Sequence, residues 1–169
     1  MKSLLLGAGN SRVKKMRHEL TPDKEFDELV TMDIDKSCNP DVIHDLSHLP
    51  YDFFRDGYFD EIHAYEVLEH CGTQGDEFFF FEQFNEFHRI LKPGGVFCGS
   101  VPHWQSIWAF GDPGHKRVLP PSVFNFLTES FYDQVGKTAC ADYRSLIRGY
   151  WKAVGIDEGE QVFFLLQKV

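Results

Sequence analysis

The sequence lacks the features that mark several large classes of protein. Its four cysteines, Cys38, Cys71, Cys98 and Cys140, are far apart and form no C-x-x-C pair, which argues against a disulfide framework or a zinc finger. No apolar run approaches the roughly 20 residues that a membrane helix needs. The leucines after Met-Lys-Ser are too few for a signal peptide. We therefore expect a cytoplasmic protein that does not bind membranes.

Basic residues are scarce as well. The chain has 17 lysines and arginines against 26 acidic residues, a net charge of −9, which opposes binding to bulk nucleic acid. No G-K-[ST] follows the glycines near the N-terminus, which excludes a P-loop. No histidine, cysteine or acidic group has the spacing of a metal site, so the sequence predicts no bound metal. A chain of 169 residues is long enough for one domain.

The segment "LLLGAGN", residues 4–10, combines an apolar run with a glycine-rich loop. This pattern predicts a buried strand that leads into a ligand-binding loop. The apolar residues Val13, Met16 and Leu20 then predict an amphipathic helix over 11–20. Ser11 stands where a dinucleotide fingerprint has its third glycine, so the loop is incomplete for a pyrophosphate.

Strand and helix patterns alternate through residue 101, which is typical of a parallel sheet covered by helices. We predict an α/β fold, a Rossmann-like three-layer α/β/α sandwich with a mostly parallel sheet and an antiparallel C-terminal strand. The predicted strands lie at 3–6, 28–35, 40–46, 59–70, 95–101 and in a C-terminal pair that turns near 157–159. The predicted helices lie at 11–20, from Thr73 or Asp76 to Leu91, and at 121–131.

Ligands bind to open parallel sheets beyond the carboxyl ends of the strands. Asp33 ends the second strand, 24 residues after Gly9, close to the roughly 20-residue spacing of a ribose-binding acid. Asp45 ends the third strand, where it can accept a hydrogen bond from the amine of adenine. The glycine loop and these two acids together predict an adenosine pocket, without specifying what the adenosine carries.

Five segments in order, "LLLGAGN", "VTMDID", "HDL", "FDEIHAYEVLEH" and "RILKPGG", resemble class I S-adenosylmethionine-dependent methyltransferases over residues 3–101. The "GDPGHKR" stretch is similar to a "DPxH" segment of some of these proteins. The resemblance implies a single S-adenosylmethionine-binding domain over 1–169, in which residues 102–150 form the substrate side. It implies S-adenosylmethionine as cofactor and S-adenosylhomocysteine as product.

The resemblance assigns roles along the carboxyl edge of the sheet. The implied cofactor-binding residues are Gly7, Ala8, Gly9 and Asn10 beside the methionine part, Asp33 and Ile34 at the ribose and adenine, Asp45 and Leu46 at the adenine edge, and Glu66, Val67 and His70 near the sulfonium. His103, which follows strand five, and His115 are candidate catalytic residues. Glu69 is predicted to be a local hydrogen-bond partner.

The predicted function is methyl transfer to an oxygen or nitrogen atom of a small-molecule acceptor. Leu5 stands where the family often has an acid. The family usually has helices before strand one, but here that strand lies close to Met1, so the site is expected to be more open than usual, or covered by loop 102–120 or by a second copy in a homodimer. Two alternatives remain open at this point. One is an NAD-type oxidoreductase, and the other is a catalytically silent protein that binds S-adenosylmethionine.

Overall fold

A computed structural model shows a seven-stranded sheet in the order β3-β2-β1-β4-β5-β7-β6. It describes residues 1–155 and 159–169 fully, and residues 156–158 only within the bounds of β6. The strands are β1 (Lys2–Leu6), β2 (Glu28–Asp33), β3 (Val42–Ile43), β4 (Phe59–Tyr65), β5 (Leu91–Pro102), β6 (Trp151–Glu158) and β7 (Gln161–Lys168). The α-helices are α1 (Glu77–Ile90) and α2 (Ile107–Gly111), and 3₁₀ helices span Lys36–Cys38, Leu68–His70, Pro121–Leu127, Glu129–Gln134 and Arg144–Leu146.

The topology confirms the predicted Rossmann-like fold. Strand β1 lies between β2 and β4 and is parallel to both. Strand β5 continues the parallel part beside β4, and β7 runs antiparallel to both of its neighbours. The predicted third strand is shorter than expected, since only Val42 and Ile43 pair with β2. The predicted turn near 157–159 lies largely outside the described residues.

Helix α1 covers one face of the sheet, as its sequence period predicts. The Asp76 carboxylate accepts a hydrogen bond from the Phe79 N–H at 3.0 Å and caps the N-terminus. Phe80, Phe84 and Phe87 are buried in the main core beneath the helix. In the described part of the chain, no helix has the length and apolarity that a bilayer crossing requires.

The opposite face of the sheet departs from the sequence prediction. Residues 11–17 form no helix, so the predicted helix over 11–20 is wrong. Lys14 is 4% exposed, and its Nζ lies 2.8 Å from the carboxylate of Glu61, a residue of β4. The Tyr65 hydroxyl accepts hydrogen bonds from the N–H groups of Lys15 and Met16 at 3.2 Å. These contacts replace helical hydrogen bonds and hold the segment extended across the sheet.

The segment after β5 is less regular than predicted. The helix expected over 121–131 is instead two 3₁₀ helices, Pro121–Leu127 and Glu129–Gln134. Phe124, Leu127 and Tyr132 are nevertheless buried, so the apolar side chains take part in the core. The loop after β5 and the short helix α2 lie at the carboxyl edge, where they form one wall of the candidate site.

Candidate functional site

The carboxyl ends of β1 and β4 meet at the switch point of the sheet, where α/β folds bind ligands. Gly7 follows β1 with a φ of +57°, and a Cβ at this position would overlap the side chain of Val67, just beyond β4. Glu66 has a φ of +53°, which is unusual for a residue with a side chain. The backbone is therefore held in uncommon conformations on both sides of the crevice.

Substitutions at Gly7 and Gly9 distinguish the conformational cost of a side chain from its steric overlap with Val67. Gly7→Ala adds a left-handed conformational cost of about 1–2 kcal/mol and also the overlap with Val67. Gly9 has a φ of +50°, but a Cβ there meets nothing within 4 Å. We expect Gly7→Ala to lower the free energy of unfolding clearly more than Gly9→Ala in urea denaturation. Equal losses would contradict close packing of the loop on Val67.

Asp33 organises the loop from the end of β2. Its Oδ2 accepts a hydrogen bond from the Gly9 N–H at 2.8 Å, and its Oδ1 accepts one from the Asp35 N–H at 2.8 Å. Each carboxylate oxygen has a second lone pair for a ligand hydroxyl. The neighbouring Ile34 is 66% exposed and offers an apolar surface beside the carboxylate.

A cavity of about 150 Å³ joins most of the residues that the sequence assigns to a cofactor. The predicted residues that line it are Gly7, Asp33, Ile34, Asp45, Leu46, Val67 and His70, and His44, Cys71 and Lys116 complete it. The Ser47 N–H donates to Asp45 Oδ1 at 2.8 Å, and this backbone hydrogen bond lowers the pKa of Asp45. The carboxylate is therefore ionised at neutral pH.

The other predicted cofactor residues lie outside this cavity. Ala8 is buried against Leu5 and Tyr65, so Leu5 packs in a small apolar cluster where the family often has an acid. Gly9 and Asn10 follow on the outer side of the loop, and Asn10 is exposed. Glu66 lines a second cavity instead, and its Oε1 accepts a hydrogen bond from the Ser100 hydroxyl at 2.9 Å.

The second cavity is larger, about 1040 Å³, and shares His70 with the first. Its walls come from the end of β4, the loop after β5, helix α2 and the start of β7. Both candidate catalytic histidines, His103 and His115, line it. Trp108 also lines it, whereas Trp104 and Phe110 are exposed on the same loop. Loop 102–120 thus forms a wall of this cavity.

The two candidate catalytic histidines have different surroundings. The Gln105 N–H donates to His103 Nδ1 at 3.1 Å, so a neutral His103 ring carries its proton on Nε2. The His115 side chain is 8% exposed, and its Nε2 lies 3.9 Å from both Glu69 Oε1 and Asp112 Oδ2. His103 is thus a hydrogen-bond donor at the cavity surface, and His115 lies among carboxylates.

The segment "GDPGHKR" is fixed beneath the cavity by a buried arginine. The Arg117 guanidinium donates from Nε to the Leu68 carbonyl at 2.9 Å and from Nη2 to Gln83 Oε1. Burial lowers the pKa of Arg117 to about 10. The Lys116 N–H also donates to the Glu69 carbonyl at 2.8 Å. These bonds attach the loop that carries His115 to the 3₁₀ helix Leu68–His70.

Sequence reasoning missed the environment of Glu69. Its side chain is 2% exposed, and among the described residues neither carboxylate oxygen has a hydrogen-bond partner. The prediction that Glu69 is a local hydrogen-bond partner is therefore wrong for its side chain. Burial, with the nearby Glu66 carboxylate, raises the pKa of Glu69 to about 8. The only sequence signal was its place in "VLEH", which did not show that His115 lies against it.

The family of the chain follows from a sequence model. The model of the methyltransferase domain matches residues 10–99, more than half of the 169-residue chain. The chain belongs to the methyltransferase domain family. The match contains β2 to β4 and most of β5, and with them Asp33, Asp45 and the "VLEH" segment of the candidate site. This result confirms the resemblance to class I methyltransferases.

Solved structures support the methyltransferase fold. A SAM dependent methyltransferase from Archaeoglobus fulgidus is 18% identical with a TM-score of 0.60, over 99% of this chain and 86% of that one. A chain from a complex that contains the Haloferax volcanii Trm112 methyltransferase activator is 13% identical with a TM-score of 0.61. The match covers 98% of this chain and 81% of that one. The trans-methyltransferase CalH in complex with SAH is 16% identical with a TM-score of 0.55. The match covers 99% of this chain and 51% of that one. A comparison with curated protein sequences gives no significant match.

Proposed function

We propose that this methyltransferase moves the methyl group of S-adenosylmethionine to an oxygen or nitrogen atom of a small-molecule acceptor. The observation that carries the proposal is the pair of adjoining cavities at the carboxyl edge of the sheet, which share His70. A methyl donor in one cavity and an acceptor in the other would meet at this residue. The sulfonium of the donor supplies an electrophilic methyl group, and the protein supplies the alignment.

The smaller cavity suits the adenosine half of the donor. Asp33 presents carboxylate lone pairs that suit ribose hydroxyls, and exposed Ile34 suits the apolar face of a purine. The absence of a side chain at Gly7 lets the loop pack directly against Val67 at the cavity wall. These features support an adenosine ligand independently of the resemblance.

The conformation of the chain after the glycine loop argues against a dinucleotide cofactor. A pyrophosphate is usually held by the N-terminus of the helix that follows such a loop. In the described residues 10–20 no helix follows Gly9. Arg12 instead folds back and donates to the Gly9 carbonyl at 2.6 Å. We therefore favour S-adenosylmethionine over NAD.

The larger cavity favours a small acceptor over nucleic acid. Glu66, Asp112 and Glu160 line it, and their carboxylates repel phosphate groups. Holding donor and acceptor in line can supply up to roughly 7–11 kcal/mol of the barrier reduction. Glu66 and His103, which line this cavity, would orient the acceptor. When the acceptor atom attacks, its lone pair bonds to the methyl carbon, the carbon–sulfur electrons stay on sulfur, and an acceptor proton is released.

His103 provides the catalytic test. We expect His103→Ala to lower kcat for S-adenosylhomocysteine formation roughly tenfold, because the change removes a hydrogen-bond donor from the acceptor cavity. The affinity for S-adenosylmethionine is expected to stay unchanged, because His103 does not line the smaller cavity. The assay measures S-adenosylhomocysteine formed with pools of small hydroxylated and amino compounds, and His18→Ala is the control.

Two outcomes would contradict this assignment. If the wild-type protein binds S-adenosylmethionine and forms no S-adenosylhomocysteine with any acceptor pool, the silent-binding alternative is favoured. If His103→Ala retains full kcat, His103 has no part in the reaction.

A further inference from the structure

The floor of the larger cavity contains a compact group of potential metal ligands. Glu69, His70 and His115 each offer one donor atom, and these atoms lie within 4.8 Å of one another. The rings of His70 and His115 are 4.7 Å apart at their centroids. Ligand atoms lie about 2.0–2.2 Å from a bound Zn²⁺, so two ligands of a tetrahedral ion are about 3.4 Å apart. Binding one ion would therefore bring the three donor atoms closer together.

The Glu69 carboxylate is the first independent sign of a ligand. Glu69 is 2% exposed and lines the cavity, and among the described residues neither oxygen has a hydrogen-bond partner. Burial of an unsatisfied carboxyl group is costly, and such groups in native proteins are hydrogen-bonded or bind metals. His115 Nε2, at 3.9 Å from Oε1, is too far for a hydrogen bond.

The hydrogen bond of His70 fixes a tautomer that suits a metal ligand. Its Nδ1 lies 3.0 Å from the Gly114 carbonyl, which can only accept a hydrogen bond. Nδ1 is therefore the protonated nitrogen, and Nε2 of the neutral ring has a free lone pair. Histidines that bind metals commonly donate the other ring N–H to a backbone carbonyl in this way.

Hydrogen bonds hold the loop that carries His115. Asp112 Oδ1 accepts a hydrogen bond from the Gly114 N–H at 2.7 Å, and Asp112 Oδ2 lies 3.9 Å from His115 Nε2. The buried Nδ1 of His115 has no hydrogen-bond partner among the described residues. The bonds of Lys116 and Arg117 to the 3₁₀ helix keep His115 beside Glu69.

We propose that Glu69, His70 and His115 form a binding site for a divalent first-row transition cation. Two imidazoles and one carboxylate suit Zn²⁺, Fe²⁺, Co²⁺ or Mn²⁺, whereas Mg²⁺ and Ca²⁺ prefer oxygen ligands. Three protein ligands leave positions for other ligands. The cation would bind an oxygen of the acceptor there, which specifies acceptors with hydroxyl or carbonyl groups. This role in acceptor binding rests on the proposed function, and the cation site itself does not.

The test is a titration of the chelator-treated full chain with Mn²⁺, followed by electron paramagnetic resonance without S-adenosylmethionine. We expect one Mn²⁺ per chain, displaced by Zn²⁺ and not by equimolar Mg²⁺. Glu69→Gln, His70→Gln and His115→Gln are each expected to weaken Mn²⁺ binding roughly tenfold or more. His48→Gln, an exposed histidine outside the cavity, is the control and leaves it unchanged.

Two further measurements separate the cation site from other roles. Asp33→Ala is expected to keep Mn²⁺ binding, so a failure of cofactor binding does not obscure the result. Metal-free Glu69→Gln is expected to melt at the same temperature as the metal-free parent, or higher, because the buried amide, unlike the carboxyl group, cannot ionise. The proposal is overturned if Mn²⁺ and Zn²⁺ do not bind stoichiometrically. It is also overturned if His70→Gln and Glu69→Gln leave Mn²⁺ affinity unchanged, or if Glu69→Gln only destabilises the metal-free protein.

Discussion

Replacing Asp33 with alanine is expected to lower the affinity for S-adenosylmethionine roughly a hundredfold or more. Two charge-assisted hydrogen bonds to ribose hydroxyls are worth about 1.5–3 kcal/mol each, and every 1.4 kcal/mol corresponds to about a factor of ten. The change also releases the Gly9 N–H, which Asp33 Oδ2 holds at 2.8 Å, so the loop loses its preferred conformation. Isothermal titration calorimetry of both proteins with S-adenosylmethionine measures the difference.

Asp35→Ala is the matched control for Asp33→Ala. Asp35 is an exposed acid two residues further along, where its carboxylate accepts a hydrogen bond from the Ser37 N–H at 2.8 Å. It does not line either of the two cavities. We expect this variant to bind S-adenosylmethionine like the parent. Wild-type affinity in Asp33→Ala would mean that the Asp33 carboxylate does not contact the cofactor.

The second large effect is expected on stability. Lys14→Met leaves the Glu61 carboxylate buried without its ammonium partner, and breaking a buried ion pair on one side costs about 3–5 kcal/mol. The Lys14 and Glu61 side chains are 0% and 2% exposed, and Nζ lies 2.8 Å from Oε2. Urea denaturation at pH 7 measures the free energy of unfolding. Lys24→Met, at an exposed lysine, is the control with an expected change near zero.

The same ion pair predicts how stability depends on pH. Burial alone would raise the pKa of Glu61, but contacts with His63, Lys14 and Ser3 outweigh burial and lower the pKa to about 2. A lowered pKa in the folded state stabilises the fold above the unfolded value near 4.5. That contribution is lost as the pH falls toward 2. Lys14→Met should therefore flatten the decline of stability below pH 5, and a loss of under 1 kcal/mol at pH 7 would contradict a tight ion pair.

Local patterns predicted the elements whose sequence signal lies within a short window. The run "LLLGAGN" specified β1 and its loop, and Asp76 with three spaced phenylalanines specified α1. The prediction of a helix over 11–20 was wrong because a long-range contact outweighs the weak apolar pattern of that segment. Lys14 forms an ion pair with Glu61, 47 residues away, and this pair holds the segment against the sheet. Periodicity within a window does not detect such a partner.

The sequence predicted one part of the candidate site and missed another. The residues that line the smaller cavity end consecutive strands, so the order of strands in a parallel sheet was enough to gather them. The group of Glu69, His70 and His115 depends on a loop that returns after β5 and is bonded through Gly114, 44 residues beyond His70. No spacing rule links those positions, which is why the sequence predicted no metal site.

The most direct test of the account is equilibrium binding of three ligands to the wild-type chain: S-adenosylmethionine, S-adenosylhomocysteine and NADH. Calorimetry is expected to show one site that both sulfur compounds occupy competitively, and nicotinamide fluorescence is expected to show no NADH binding. Micromolar binding of NADH without binding of S-adenosylmethionine would contradict the account, because the glycine loop and Asp33 would then hold a dinucleotide.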